Sequence, residues 1–176
     1  MPRSHRVGGG SGNVGVSCQH DRVTSYPGWP APVRLLATAV DDAVTAAAAA
    51  DQAGFADALH RLSRVEREPL AAVLGDLAAA LLESTYPDGL DADDAGELLR
   101  RCTARFSWCT TLDEAALLQA LAGTLGVSLE QDEAMLPAAL PNGLLLVAEL
   151  LAGRPVAPLL EVALRELQRR QTVELP

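Results

Sequence analysis

The chain has 176 residues, with 23 acidic and 14 basic side chains, a net charge of −9 and an isoelectric point near 4.7. That length suits one domain whose core needs neither metal nor disulfide, and the acidic balance argues against DNA or RNA as the main partner, because nucleic-acid binding draws on basic surface. The absence of lysine excludes Schiff-base catalysis and any phosphate loop or kinase site built on a lysine.

Ala and Leu fill about a third of the positions, and isoleucine is missing altogether. These two residues head the helix-propensity scale, while strand formers are scarce apart from some Val and Thr. An all-α fold follows: an irregular bundle of about six to seven helices with a disordered N-terminal arm. Missing Lys and Ile, whose codons are AT-rich, point to a very GC-rich genome such as an actinobacterial one. The domain boundaries expected are an arm over 1–30, a single helical domain over 31–172 and a tail over 173–176.

The arm is Gly/Ser-rich from Val7 to Asn13 and then broken by Pro27, Gly28, Pro30 and Pro32. Arg3 and Arg6 have no apolar stretch behind them, so a signal peptide is not expected. From Pro32 a helical period places Val33, Leu36, Ala37, Val40, Val44 and Ala47 on one face, and Gly54 marks a bend near 51–54. A second helix lines up Phe55, Ala58, Leu59, Leu62 and Val65, with an Asp57–Arg61 pair outside. Pro69 opens a third, with Leu70, Val73, Leu74, Leu77, Leu81 and Leu82 inward, and Tyr86–Gly89 is a turn.

Asp91, Asp93 and Asp94 start a fourth helix that carries Ala95, Leu98, Leu99, Cys102, Phe106 and Cys109 on one side. Thr111 and Glu114 match a capping box for a fifth, with Leu118, Leu121, Ala122 and Leu125 inward and Gly126 as its stop. A short helical turn is expected around 129–136. Pro141-Asn142 then starts a sixth helix over Gly143–Ala152, apolar nearly all round and so expected at the centre of the bundle. Its nine-residue apolar run, Leu144 to Ala152, contains Glu149 and is far shorter than the ~20 residues of a membrane span. Pro158 opens the last helix, with Leu159, Leu160, Ala163, Leu164 and Leu167 inward and Glu161–Arg165 and Glu166–Arg170 pairs outside.

The chemical inventory is thin. Asp91–Gly96 imitates a calcium loop only in part, since Ala95 and Cys102 stand where a chelating oxygen and the bidentate glutamate belong. Cys102 and Cys109 share an apolar stripe and read as buried thiols, while Cys18 and His20 lack further metal ligands. No nucleophile, base and orienting group can be assembled, and no catalytic, cofactor-binding or metal-binding residue is assigned. Arg100, Arg101 and Arg105 with Trp108 form the candidate docking surface, since guanidinium groups recognise carboxylates and phosphates in bidentate fashion; Arg61, Arg64 and Arg67 form a second cationic group.

The function expected is a cytoplasmic, non-enzymatic protein–protein interaction module: an adaptor, accessory subunit or small chaperone. Its partner is another protein, not a membrane or nucleic acid, with self-association left open and no cofactor. The alternatives are a helical regulator with a small molecule between the sixth helix and its neighbours, and an enzyme using Asp, Glu and Arg residues that the sequence does not single out.

Overall fold

Eight successive residues from Leu144 to Leu151 include seven apolar side chains, and a helix of that kind has no face to offer water. The computed structural model, which describes residues 26–127 and 136–173, answers this by surrounding it. The described residues form seven helices: α1 (Ala31–Ala48), α2 (Gln52–Leu62), α3 (Arg67–Thr85), α4 (Ala92–Arg105), α5 (Glu114–Thr124), α6 (Leu136–Leu151) and α7 (Ala157–Val173). No strand occurs among these residues, and no described helix is long and apolar enough to cross a membrane. α1, α3, α4 and α5 pack around α6, α2 folds back on α1, and α7 lies against α3 and α1.

Leu144, Leu145, Leu146, Val147, Leu150 and Leu151 are all buried. Each aliphatic side chain taken out of water this way contributes about 1.5–3 kcal/mol, so α6 is a major source of apolar burial in the bundle. The helix begins seven residues earlier than the expected start at Gly143 and carries Pro141 inside it. A proline normally marks a helix start, but here the earlier turn continues through it. Beside Pro141, which has no N–H, the Asn142 side chain donates from Nδ2 to the Ala138 carbonyl at 2.8 Å.

Asn142 is the one fully buried polar residue among those described. Its Nδ2 also donates to the Thr111 carbonyl at 3.1 Å, and its Oδ1 accepts from the Asp113 N–H at 3.0 Å. These bonds pin the start of α5 to α6. They also explain a departure from the expected capping box: Asp113, extended at φ −140°, caps α5 by accepting from the Ala116 N–H at 2.8 Å. Thr111 lies outside the helix, with its carbonyl held by Asn142.

The α1–α2 corner also differs in detail. The turn falls at Ala50, which takes a left-handed φ of 53°, rather than at Gly54. Gly54 lies inside α2 and donates its N–H to the capping Asp51 carboxylate at 3.0 Å; a Cβ there would collide with that carboxylate. Arg61 reaches across to Asp42 on α1 at 2.7 Å instead of pairing with Asp57. On α7 both expected i,i+4 pairs form, Arg165–Glu161 at 2.9 Å and Arg170–Glu166 at 3.7 Å, and Arg170 also ties α7 to Asp76 of α3 at 3.0 Å.

The inward face of α5 differs from the one the periodicity predicts. On α5, Leu117 and Leu121 are buried while Leu118 and Leu125 are 47% and 48% exposed, because apolar residues run round the whole helix and leave the pattern no preferred side. Tyr26, within the expected arm, is only 2% exposed and donates to Asp41 at 3.3 Å. The turn expected around 129–136 lies almost wholly outside the described residues, as does most of the expected arm.

Leu150→Ala should destabilise the protein by about 2–5 kcal/mol, since the void would sit in the centre of the bundle. Asn142→Ala should cost about 1–3 kcal/mol by leaving the Asp113 N–H and Thr111 carbonyl unsatisfied. Urea unfolding followed by circular dichroism measures both, and a loss under 0.5 kcal/mol at either position would contradict this packing.

Candidate functional site

The predicted cationic cluster on α4 is assembled around a carboxylate of the chain itself. Glu149 is the only charged residue of α6 and its side chain is 11% exposed. Arg101 and Arg105, four residues apart and hence on one side of α4, both reach it: Arg101 Nε donates to Oε1 at 3.1 Å and Arg105 Nη1 to Oε2 at 3.0 Å. Arg101 also donates to the Tyr86 hydroxyl at 3.2 Å, and the Arg105 guanidinium lies 5.3 Å from the Phe106 ring centre. Two charge-assisted bonds offset the cost of withdrawing a carboxylate from water, which alone amounts to several kcal/mol.

Arg100 does not join this group. It is exposed and pairs with Glu97 on its own helix. Trp108 faces inward, edge-on to Phe55 at 6.0 Å and to Phe106 at 6.5 Å, with its buried Nε1 making no hydrogen bond among the described residues. Of the four docking candidates, then, the fold brings together Arg101 and Arg105, on an acceptor, Glu149, that lies on another helix. A lone glutamate in an apolar helix was the signal that could have found it.

The thiols are placed as follows. Cys102 is fully buried and lies against the same cluster; burial, and then the Glu149 carboxylate, push its pKa from 9.0 to about 12, with Arg101 and Arg105 opposing in part. Cys109 is also buried, but α4 ends at Arg105, so the two do not share a helical face: Cys109 sits in the following turn, its N–H donating to the Phe106 carbonyl at 2.8 Å and its Sγ 3.2 Å from Thr111 Oγ1. Asp91, in the segment that resembles a calcium loop, accepts from the Asp94 N–H at 2.8 Å as the α4 cap.

A second feature lies on the other side of α6. Between α3 and α5, with α6 as its floor, a cleft of about 650 Å³ opens to the surface. Leu70, Ala71, Leu74, Gly75 and Ala78 line it from α3, Ala120 and Gly123 from α5, and Leu140, Gly143 and Leu146 from α6. Polar groups enter at its edges: Ser63 and Arg67 near the α2–α3 turn, Gln119 and Thr124 on α5. Its width comes from small residues. A Cβ built on Gly75, Gly123 or Gly143 would meet no atom within 4 Å.

Gly75 and Gly143 are within helices, where glycine costs roughly 0.5–1 kcal/mol against alanine, and neither turn geometry nor close packing requires them. Leu70 and Leu74, both on the expected inward face of α3, line this cleft.

Comparison with protein-family models, with curated proteins and with solved structures returned no match. The physical features of the molecule therefore carry the functional reading.

Cys102 predicts an alkaline limit to stability. Its folded-state pKa lies above the unfolded value, so the stabilising contribution is complete below about pH 9 and is lost as pH rises towards about 12. Tyr26, raised mainly by burial and then by Asp41, acts in the same direction. Stability measured from pH 8 to 11 should fall, with a shallower fall in Cys102→Ala. At neutral pH a thiol reagent should leave Cys102 and Cys109 unmodified until denaturant is added; rapid native labelling of either would contradict their burial.

Proposed function

We propose that this chain is a non-enzymatic, cytoplasmic binding module whose ligand is a small apolar molecule held in the cleft between α3, α5 and α6. The observation that carries this reading is the cleft itself: about 650 Å³, inside the roughly 300–1,000 Å³ range of small-molecule sites, with an apolar floor and walls and a few polar groups at the rim. Its glycines support the reading. Alanine at Gly75 or Gly143 would strengthen its helix and would fit without a clash, so glycine there favours space over stability. A regulator or carrier role accords with such a site.

A protein partner is the second reading, and one surface favours it. Leu118 on α5 and Leu125, the residue that caps its C-terminus, are half exposed, with Val127 exposed just beyond. A partner docking there would leave the cleft free. The Arg101–Arg105 pair is a weaker docking candidate, because Glu149 already occupies both guanidinium groups.

An environment-sensitive apolar dye should bind the native protein saturably with one-to-one stoichiometry. Gly75→Leu with Gly143→Leu should weaken that binding at least about tenfold, as expected when side chains fill a site of this size, with circular dichroism unchanged. The paired alanine variant should instead gain about 1–2 kcal/mol in stability. Equal dye affinity in the wild type and the leucine variant would sink the cleft reading. For the second reading, Leu118→Glu with Leu125→Glu should remove any native self-association seen by sedimentation while the monomer stays folded; unchanged mass would count against that face.

A further inference from the structure

The polar residues of the cleft are distributed unevenly, and this asymmetry bears on what it holds. Arg67, the first residue of α3, is the single charged side chain among the described lining residues, and no aspartate or glutamate joins it there. It is exposed and makes no ion pair or side-chain hydrogen bond among the described residues. Its neighbours in the second cationic group behave otherwise: Arg61 is held by Asp42 at 2.7 Å, and Arg64 lies 2.9 Å from His60 Nε2. The Ser63 hydroxyl lines the same end and donates to the His60 carbonyl at 2.8 Å. Beyond Arg67 the lining is aliphatic along α3 and α6 as far as Leu140 and Leu146.

We infer that the ligand of this cleft is a single-chain amphiphile with a carboxylate head, its alkyl chain between α3, α5 and α6 and its head at Arg67. The inference rests on the binding reading above and specifies the class of ligand. One guanidinium matches one carboxylate in charge and in fork geometry. A phosphate monoester carries close to two charges, one more than a single guanidinium matches. Volume selects a single chain. At about 30 Å³ for each small heavy group, the share of a water molecule in the liquid, 650 Å³ takes about twenty such groups. That accommodates an alkyl carboxylate of about 12 to 16 carbons and is about half of what a two-chain lipid of that chain length would fill.

The test is a calorimetric titration of the full chain with decanoate, dodecanoate and tetradecanoate, each below its micelle-forming concentration, beside dodecanol, dodecyl phosphate and dodecyltrimethylammonium. Affinity should rise about fourfold per methylene, the equivalent of burying one more CH₂. Dodecanoate should bind about tenfold more tightly than dodecanol, and the trimethylammonium compound more weakly than either. Arg67→Gln should abolish the preference for dodecanoate over dodecanol without changing dodecanol binding, and Arg64→Gln should leave the preference intact.

A preference that survives in Arg67→Gln, or dodecyl phosphate binding more tightly than dodecanoate, would overturn the head-group assignment while the cleft reading stands. Failure of every alkyl compound, dodecanol included, would overturn the inference, and the dye titration then tells whether the cleft reading falls with it. Circular dichroism of Arg67→Gln checks folding, and the absence of any described ion pair at Arg67 makes that variant structurally mild.

Discussion

A helix that is apolar on every side can be stable in water only if other helices cover it, and α6 imposes that requirement on the rest of the bundle. α1, α3, α4 and α5 take up positions around it because each carries one apolar stripe and α6 can receive a stripe from any direction. The helices that do not touch α6 extensively are placed at one remove: α2 by folding back on α1, α7 by packing on α3 and α1. The cleft is understood most simply as the place where this cover is incomplete, over Gly143 and Leu140, because α3 and α5 present Gly75, Ala78, Ala120 and Gly123 to one another instead of larger side chains.

Apolar contact alone would leave α6 free to rotate or slide in its sleeve with little change in buried area. Two polar groups on the helix remove that freedom. Asn142 near the middle of α6 meets the backbone of 111–113, and Glu149 near its C-terminal end meets Arg101 and Arg105 of α4. Turning the helix would leave a buried amide or a nearly buried carboxylate without its partner, at a cost of a few kcal/mol, whereas apolar contacts would only be exchanged. The same two anchors tie the α4–α5 segment to α6 on either side of the turn that carries the buried Phe106 and Cys109.

The core is built mainly of Leu and Ala, with Tyr26, Phe55 and Phe106 as its few large aromatic members. α1 packs closely on α2, and Ala39, Ala43, Ala46 and Ala47 of α1 are all buried, with the Ala46 side chain beside Gly54 of α2. Small residues thus serve two opposite ends in this molecule. On α1 they bring helices together; along the cleft they keep helices apart from whatever lies between them. A glycine whose absent Cβ faces open space, as at Gly75 and Gly143, differs physically from Gly54, where the capping carboxylate occupies the space a Cβ would need.

Sequence alone determined the helical class, the central place of the apolar Leu144–Leu151 run and the inward faces of α1, α3 and α7, because helix propensity and a 3.6-residue period are local properties of the chain. It also marked the Tyr86–Gly89 turn, where Gly89 takes a φ of 97°, and the Gly126 stop at 73°, since those backbone conformations favour glycine wherever they occur. The tertiary structure decided what depends on partners distant in the chain. Which side of α5 faces inward was open because both sides are apolar, and Asp113 displaced Thr111 as its cap because Asn142, 29 residues on, holds the segment. Arg101 and Arg105 looked like a surface awaiting a carboxylate until Glu149, more than forty residues away, proved to lie beneath them. The cleft belongs to the same class, since an opening exists only between surfaces: Gly75, Gly123 and Gly143 come from three helices, and only their packing shows that the space they leave is shared.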